Sequence, residues 1–142
     1  MLYVTFMILA GCLTAMQSPI NAALSRTVGV LESSFVSFAC GALFLGLATL
    51  FFGRGQIWRL TEAPSWQWIG GIFGAIMVLN TIIAVPRIGV LTTAMAMIFG
   101  NLLMAAIIDN YGWFSVPVTP FDWRRLLGFI LVLAGLALVF RR

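Results

Sequence analysis

The chain has 142 residues, of which 62% are hydrophobic and only 8% charged, and its mean hydropathy is +1.09. A soluble domain of this length cannot bury that much apolar surface, so the composition specifies an all-α integral membrane protein with the lipid bilayer as its first partner. The net charge of +4 comes entirely from Arg, which reads as cations at lipid headgroups and not as a nucleic-acid surface.

Five segments are long enough to cross a bilayer, which needs about 20 residues each. They lie near residues 3–24, 33–52, 66–85, 89–108 and 124–140, and each is expected to be a helix because a lipid-exposed backbone must satisfy its own hydrogen bonds. The N-terminus lacks a basic region and a small-residue cleavage site, so the first span is expected to stay in the mature protein. The first span carries Thr14, Gln17, Ser18 and Asn21, and Ser25 opens the link that follows. Thr14, Ser18, Asn21 and Ser25 fall on one helical stripe, and Gln17 and Asn21 stack four apart. Pro19 beside them removes a backbone donor and is expected to bend the helix. A polar stripe in an apolar span suits either the lining of a solute path or interhelical hydrogen bonds.

A polar link, residues 25–32, leads to the second span, with Ser33 or Ser34 as its expected N-cap. That span carries Ser37, Gly41, Ala42 and Gly46, small residues that allow close helix approach. Cys12 and Cys40 read as small buried hydrophobes without metal spacing. The next connection holds Arg54, Trp58, Arg59 and Glu62, a headgroup-level composition. Pro64 is expected in the first turn of the third helix, which opens with Trp66 and Trp68 as interfacial anchors and has Gly70 and Gly74 at GxxxG spacing, followed by Asn80 and Thr81. Pro86-Arg87-Ile88-Gly89 reads as a tight turn between antiparallel helices. The fourth helix carries Thr92, Thr93, Gly100 and Asn101. From Asp109 to Asp122 runs an aromatic loop with Pro117, Pro120 and Phe121, expected to lie along the interface. The fifth helix is flanked by Arg124-Arg125 and Arg141-Arg142, with Gly128 and Gly135 on one face as a packing seam.

With five spans, one membrane side holds Arg54, Arg59, Arg124 and Arg125 and the other Arg26, Arg87, Arg141 and Arg142. This even division gives the positive-inside rule no preferred orientation. It points to insertion both ways round and an antiparallel pair, the partner being a second copy in opposite orientation or a related subunit. Counted from the side shared by the ends of helices 1 and 3 and the start of helix 4, Gln17 and Asn80 lie about 10 Å deep and Asn101 about 18 Å. They bracket the midplane, where transporter sites lie. No repeat is visible within the chain, so the antiparallel partner would supply the inverted half.

The motifs Gln17-x-x-x-Asn21-Ala22-Ala23-Leu24, Ser37-Phe38-x-x-Gly41, Trp68-x-Gly70-Gly71-x-x-Gly74, Pro86-Arg87-x-Gly89, Ile107-Ile108-Asp109-x-x-Gly112, Leu127-Gly128 and Ala134-Gly135 occur in this order over nearly the whole chain. In order and spacing they resemble the YdcZ-like family of small five-helix proteins in the drug/metabolite transporter superfamily. The resemblance implies an inner-membrane half-transporter unit working as an antiparallel dimer. Where that family usually has Gln after the helix-4 glycine, this chain has Gly100-Asn101.

The expected function is therefore alternating-access transport of a small molecule, with Gln17, Asn21, Asn80, Asn101, Thr14 and Ser37 contacting the solute. Asp109, Arg87, Gly70, Gly74, Gly128 and Gly135 are expected at interfaces or gates. Asp109 ends a helix, where its charge opposes the macrodipole, so an Arg partner is expected among Arg87 or Arg26 of a partner subunit and Arg124 or Arg125 of the same chain. Small multidrug transporters of the superfamily use a membrane-embedded Glu; here no acid lies mid-span, which favours polar or zwitterionic solutes over bare cations. A passive channel and a non-transporting scaffold are the other readings. No enzyme, metal site or cofactor is expected, since the chain has no His and no nucleophile–base pair.

Overall fold

The computed structural model describes residues 1–119 and 122–140. Among the described residues there are five α-helices: α1 (Leu2–Val28), α2 (Val30–Phe52), α3 (Gly70–Ile88), α4 (Val90–Tyr111) and α5 (Trp123–Phe140). Short 3-10 turns lie at Ile57–Glu62, Ser65–Ile69 and Trp113–Ser115, and there is no strand among the described residues. Leu2–Val28, Val30–Phe52, Ser65–Ile88 and Val90–Tyr111 are each long and apolar enough to cross a membrane. α5 covers the fifth expected segment as a helix.

Several boundaries differ from those expected. The link at residues 25–32 is helical except at Gly29, which turns the chain alone with φ 102° and ψ 162°. That region is open essentially only to glycine. Ser33 and Ser34 therefore do not cap α2, which starts at Val30; both are buried inside its first turns. α1 runs unbroken through Pro19, whose missing N–H leaves the Ala15 carbonyl without its helical donor. Pro64 precedes a 3-10 turn and does not enter α3, so Trp66 and Trp68 stand on that turn, half-exposed. Pro86, Arg87 and Ile88 are the last residues of α3, and only Gly89 (φ 81°, ψ 163°) leaves the helical region before α4. α4 continues past Asp109 to Tyr111 and is closed by Gly112 in the left-handed region, its N–H donating to the Ile108 carbonyl at 2.8 Å. Cys12 and Cys40 are exposed, not buried, because they point away from the few contacts each helix makes. Pro120, Phe121, Arg141 and Arg142 lie outside the described residues.

The fold comprises two compact units, Met1–Arg87 and Ile88–Arg142. In the first, α1 and α2 form an antiparallel pair, since Asn21 meets Ser33 while Gln17 meets Ser37. Gly74 of α3 faces the Phe38 ring, where an added Cβ would sit 3.4 Å from the ring tip. In the second, α4 and α5 run antiparallel, with Phe99 against Phe129 at a ring separation of 5.1 Å and Gly135 beside Met95. Among the described residues the buried ones are few and more than half of them polar: Ala22, Val78, Ile82 and Val85 with Asn21, Ser33, Ser34, Thr81 and Thr93. Large apolar side chains cover the outside instead, the inverse of a soluble domain and the surface that lipid satisfies.

Candidate functional site

The polar cluster of the first unit is built by two helices. Gln17 and Asn21, one turn apart on α1, both donate to the hydroxyl oxygen of Ser37 on α2, at 3.3 and 3.1 Å. Ser33, one turn before Ser37, donates its hydroxyl to the backbone carbonyl of Asn21 at 2.8 Å and has no exposed surface. Asn21 is thus held at both its side chain and its backbone, and only 6% of it is exposed. Gln17 is exposed and Ser37 half-buried.

The inventory of this cluster decides what it can bind. A hydroxyl has two acceptor sites and one donor, and each amide has a carbonyl acceptor. The two amides fill both acceptor sites of Ser37. Its O–H, the Gln17 Oε1 and the Asn21 Oδ1 have no protein partner among the described residues. One donor and two acceptors therefore stand together at an edge reached through Gln17.

Thr14 is half-buried one turn above, its hydroxyl donating to the Ala10 carbonyl at 2.9 Å; Ser18 and Ser25 likewise bond carbonyls of α1. The stripe thus divides, the hydroxyls serving their own helix and the amides reaching across. Asn80 on α3 and Asn101 on α4 are exposed, with no side-chain hydrogen bond among the described residues. Arg87 is exposed in the last turn of α3. Gly70 has open space on its free side, unlike Gly74 against Phe38. Ser33 is the residue that reasoning from sequence missed. Its signal was present, since pairing Gln17 with Ser37 in an antiparallel hairpin also pairs Asn21 with Ser33.

In the second unit, Asp109 accepts a hydrogen bond from Arg125 of its own chain at 3.1 Å. An acid in the last turn of α4 and a cation in the first turn of α5 each oppose their helix dipole, and pairing relieves both. The Asp109 carbonyl also accepts the Thr119 N–H at 2.9 Å, tying the loop back onto α4. This pair edges a groove of about 370 Å³ that includes Gly128 and Phe129. Glu62 pairs with Arg59 at 2.8 Å, with both side chains mostly exposed. No group of three or more metal-ligating side chains occurs among the described residues.

A chain of apolar helices holding a small polar cluster in one helix pair is the setting in which the comparison with known families is decisive. Residues 2–138 match the family model described as "Putative inner membrane exporter, YdcZ". The chain belongs to the YdcZ family. No curated protein and no solved structure matches it. YdcZ membership places the chain in the inner membrane and in a transporter class, not an enzyme class.

Proposed function

We propose that this YdcZ-family chain is one half of an exporter for small polar or zwitterionic solutes, with Gln17, Asn21 and Ser37 as its solute-contacting group. The observation that supports this reading is the pair of amides converging on one hydroxyl with a donor and two acceptors to spare. A carboxylate would take the Ser37 O–H, and an ammonium the two amide carbonyls. At 1.5 Å per residue the cluster lies about 7 to 13 Å inside the level of Arg26 and Glu32, on the approach to the midplane. The acids agree: Glu32 is in the first turn of α2, Glu62 in a connection, Asp109 in the last turn of α4 and Asp122 just before α5. With no carboxylate in a helix interior, exchange through an embedded acid has no candidate in this chain.

α5 acts as the fifth span. Its 18 residues measure about 27 Å, and Arg124 and Arg125 at its start reach the headgroups by snorkelling. Five spans put the termini on opposite sides. The even division of Arg between those sides supports an antiparallel pair, formed with a second copy or a related subunit, that moves solute by alternating access.

Uptake into proteoliposomes tests this, with a panel of radiolabelled amino acids as probes. Wild-type protein is expected to transport at least one member, and Gln17→Ala and Ser37→Ala to lose that uptake while eluting normally in detergent. Unchanged uptake in both variants excludes the cluster as the contact group. Rates in the range of open pores, with no saturation, would replace the exporter reading with a channel.

A further inference from the structure

The Asp109–Arg125 pair is placed the wrong way round for stability alone. A helix favours an acid at its N-terminus and a cation at its C-terminus. Here the acid stands in the last turn of α4 and the cation in the first turn of α5. Exchanging the two would keep the ion pair and improve both dipole interactions. As placed, Asp109 adds to the partial negative charge of the α4 carbonyls, and Arg125 to the partial positive charge of the α5 amides. Two patches of opposite sign therefore lie side by side, 3.1 Å apart. Neither is exhausted by the other. Arg125 gives a single N–H to Asp109 Oδ2, and neither side chain makes another hydrogen bond among the described residues. Both are partly open, Arg125 at 42% and Asp109 at 34%. From this pair the groove of about 370 Å³ runs inward between the helices. Ala105 and Ala106 on α4 and Gly128 on α5 keep it open, and an added Cβ at Gly128 would meet nothing. Leu102 and Val132 also line it, each two turns from the charge on its own helix and so about 10 Å deeper. Exposed Tyr111, Trp113 and Trp123 stand beside the charged end in sequence, as in the aromatic belt at headgroup level.

We propose that this groove is a binding site for phosphatidylethanolamine, with the lipid phosphate on Arg125, its ammonium on Asp109 and an acyl chain between α4 and α5. The charges select the occupant. The chain lies in the inner membrane, and a zwitterionic phospholipid carries both signs at one end and hydrocarbon at the other, in the order the groove presents them. Guanidinium–phosphate and ammonium–carboxylate contacts are both charge-assisted, the stronger kind of hydrogen bond. The helix ends add to each, since phosphate suits the N-terminus of α5 and a cation the C-terminus of α4. An anionic head would bring a net negative charge against Asp109. A choline head has no N–H to give the carboxylate. The proposal rests on α5 lying in the membrane as the fifth span and takes nothing from the solute cluster.

Native mass spectrometry of the full chain tests this, with the protein released from detergent that holds equal amounts of phosphatidylethanolamine, phosphatidylcholine and phosphatidylglycerol of one acyl composition. The wild type is expected to retain phosphatidylethanolamine several-fold over the other two. Asp109→Asn is expected to bring that retention down to the phosphatidylcholine level, and Asp109→Glu to keep the preference. Gly128→Leu fills the groove with the ion pair in place and is expected to lower retention of phosphatidylethanolamine. Equal retention of phosphatidylethanolamine and phosphatidylcholine by the wild type overturns the proposal, as does a preference for phosphatidylglycerol. A preference that survives both Asp109→Asn and Gly128→Leu also overturns it, by locating the lipid elsewhere. If Asp109→Asn fails to fold, the wild-type comparison and Gly128→Leu still decide. No transport is measured, so failure here leaves the solute cluster standing, and loss of the exporter reading leaves the lipid preference standing.

Discussion

Gly29 and Gly89 show how much one residue type can decide. Each stands where a side chain meets its own backbone, at positive φ with ψ near 160°. Such positions cost non-glycine residues about 1 to 3 kcal/mol. A Cβ at Gly29 would also meet the Glu32 carboxylate, but that is the tip of an exposed, flexible side chain that can swing aside, and Gly89 has open space on that side. Thermal unfolding in detergent should therefore show Gly29→Ala and Gly89→Ala both destabilised, by a similar amount, since the backbone conformation sets the cost. Wild-type midpoints in both would mean that the two turns relax at no cost. The glycines were legible in the sequence, but as parts of longer loops. The composition of residues 25–32 and 86–89 reads as polar linker and turn, and only the backbone shows that the helices continue to within one residue of each glycine.

At the scale of elements, two kinds of contact hold helices together. α1 and α2 are joined by polar bonds among Gln17, Asn21, Ser33 and Ser37, and α4 and α5 by Phe99 on Phe129, Gly135 beside Met95 and the Asp109–Arg125 pair. The two ion pairs differ in cover. Asp109 is 34% exposed and joins two helices, whereas Glu62 is 60% exposed and pairs three residues from its partner. An exposed pair is worth roughly 0 to 1 kcal/mol. Asp109→Asn also leaves Arg125 alone at a helix N-terminus, where a cation is disfavoured. Asp109→Asn is expected to lower the midpoint of unfolding measurably and Glu62→Gln to leave it within error. Equal shifts would reduce Asp109 to a solvated end-of-helix charge. The need of Asp109 for an Arg was legible from its place at a helix end. That the Arg is Arg125 follows from the antiparallel course of α5 against α4.

For the whole molecule, the proposed antiparallel pair requires insertion both ways round. A C-terminal reporter is then expected to give signal from both sides of the inner membrane, and two or three Lys added at one terminus should drive it to one side. Signal from one side alone in the wild type would exclude a homodimer and leave a related subunit as partner. The apolar exterior suits such an assembly as well as lipid, since few residues are buried within a single chain.

The helical membrane class, four apolar helices long enough to cross a membrane and the family were already legible in composition, in runs of about 20 apolar residues and in ordered short motifs, because hydrocarbon admits few ways to satisfy a backbone. Which polar residues meet was decided only by the tertiary structure. Helical periodicity puts Gln17 and Asn21 on one face, but Ser37 and Ser33 come to them only when Gly29 reverses the chain and sets the register of α2 on α1.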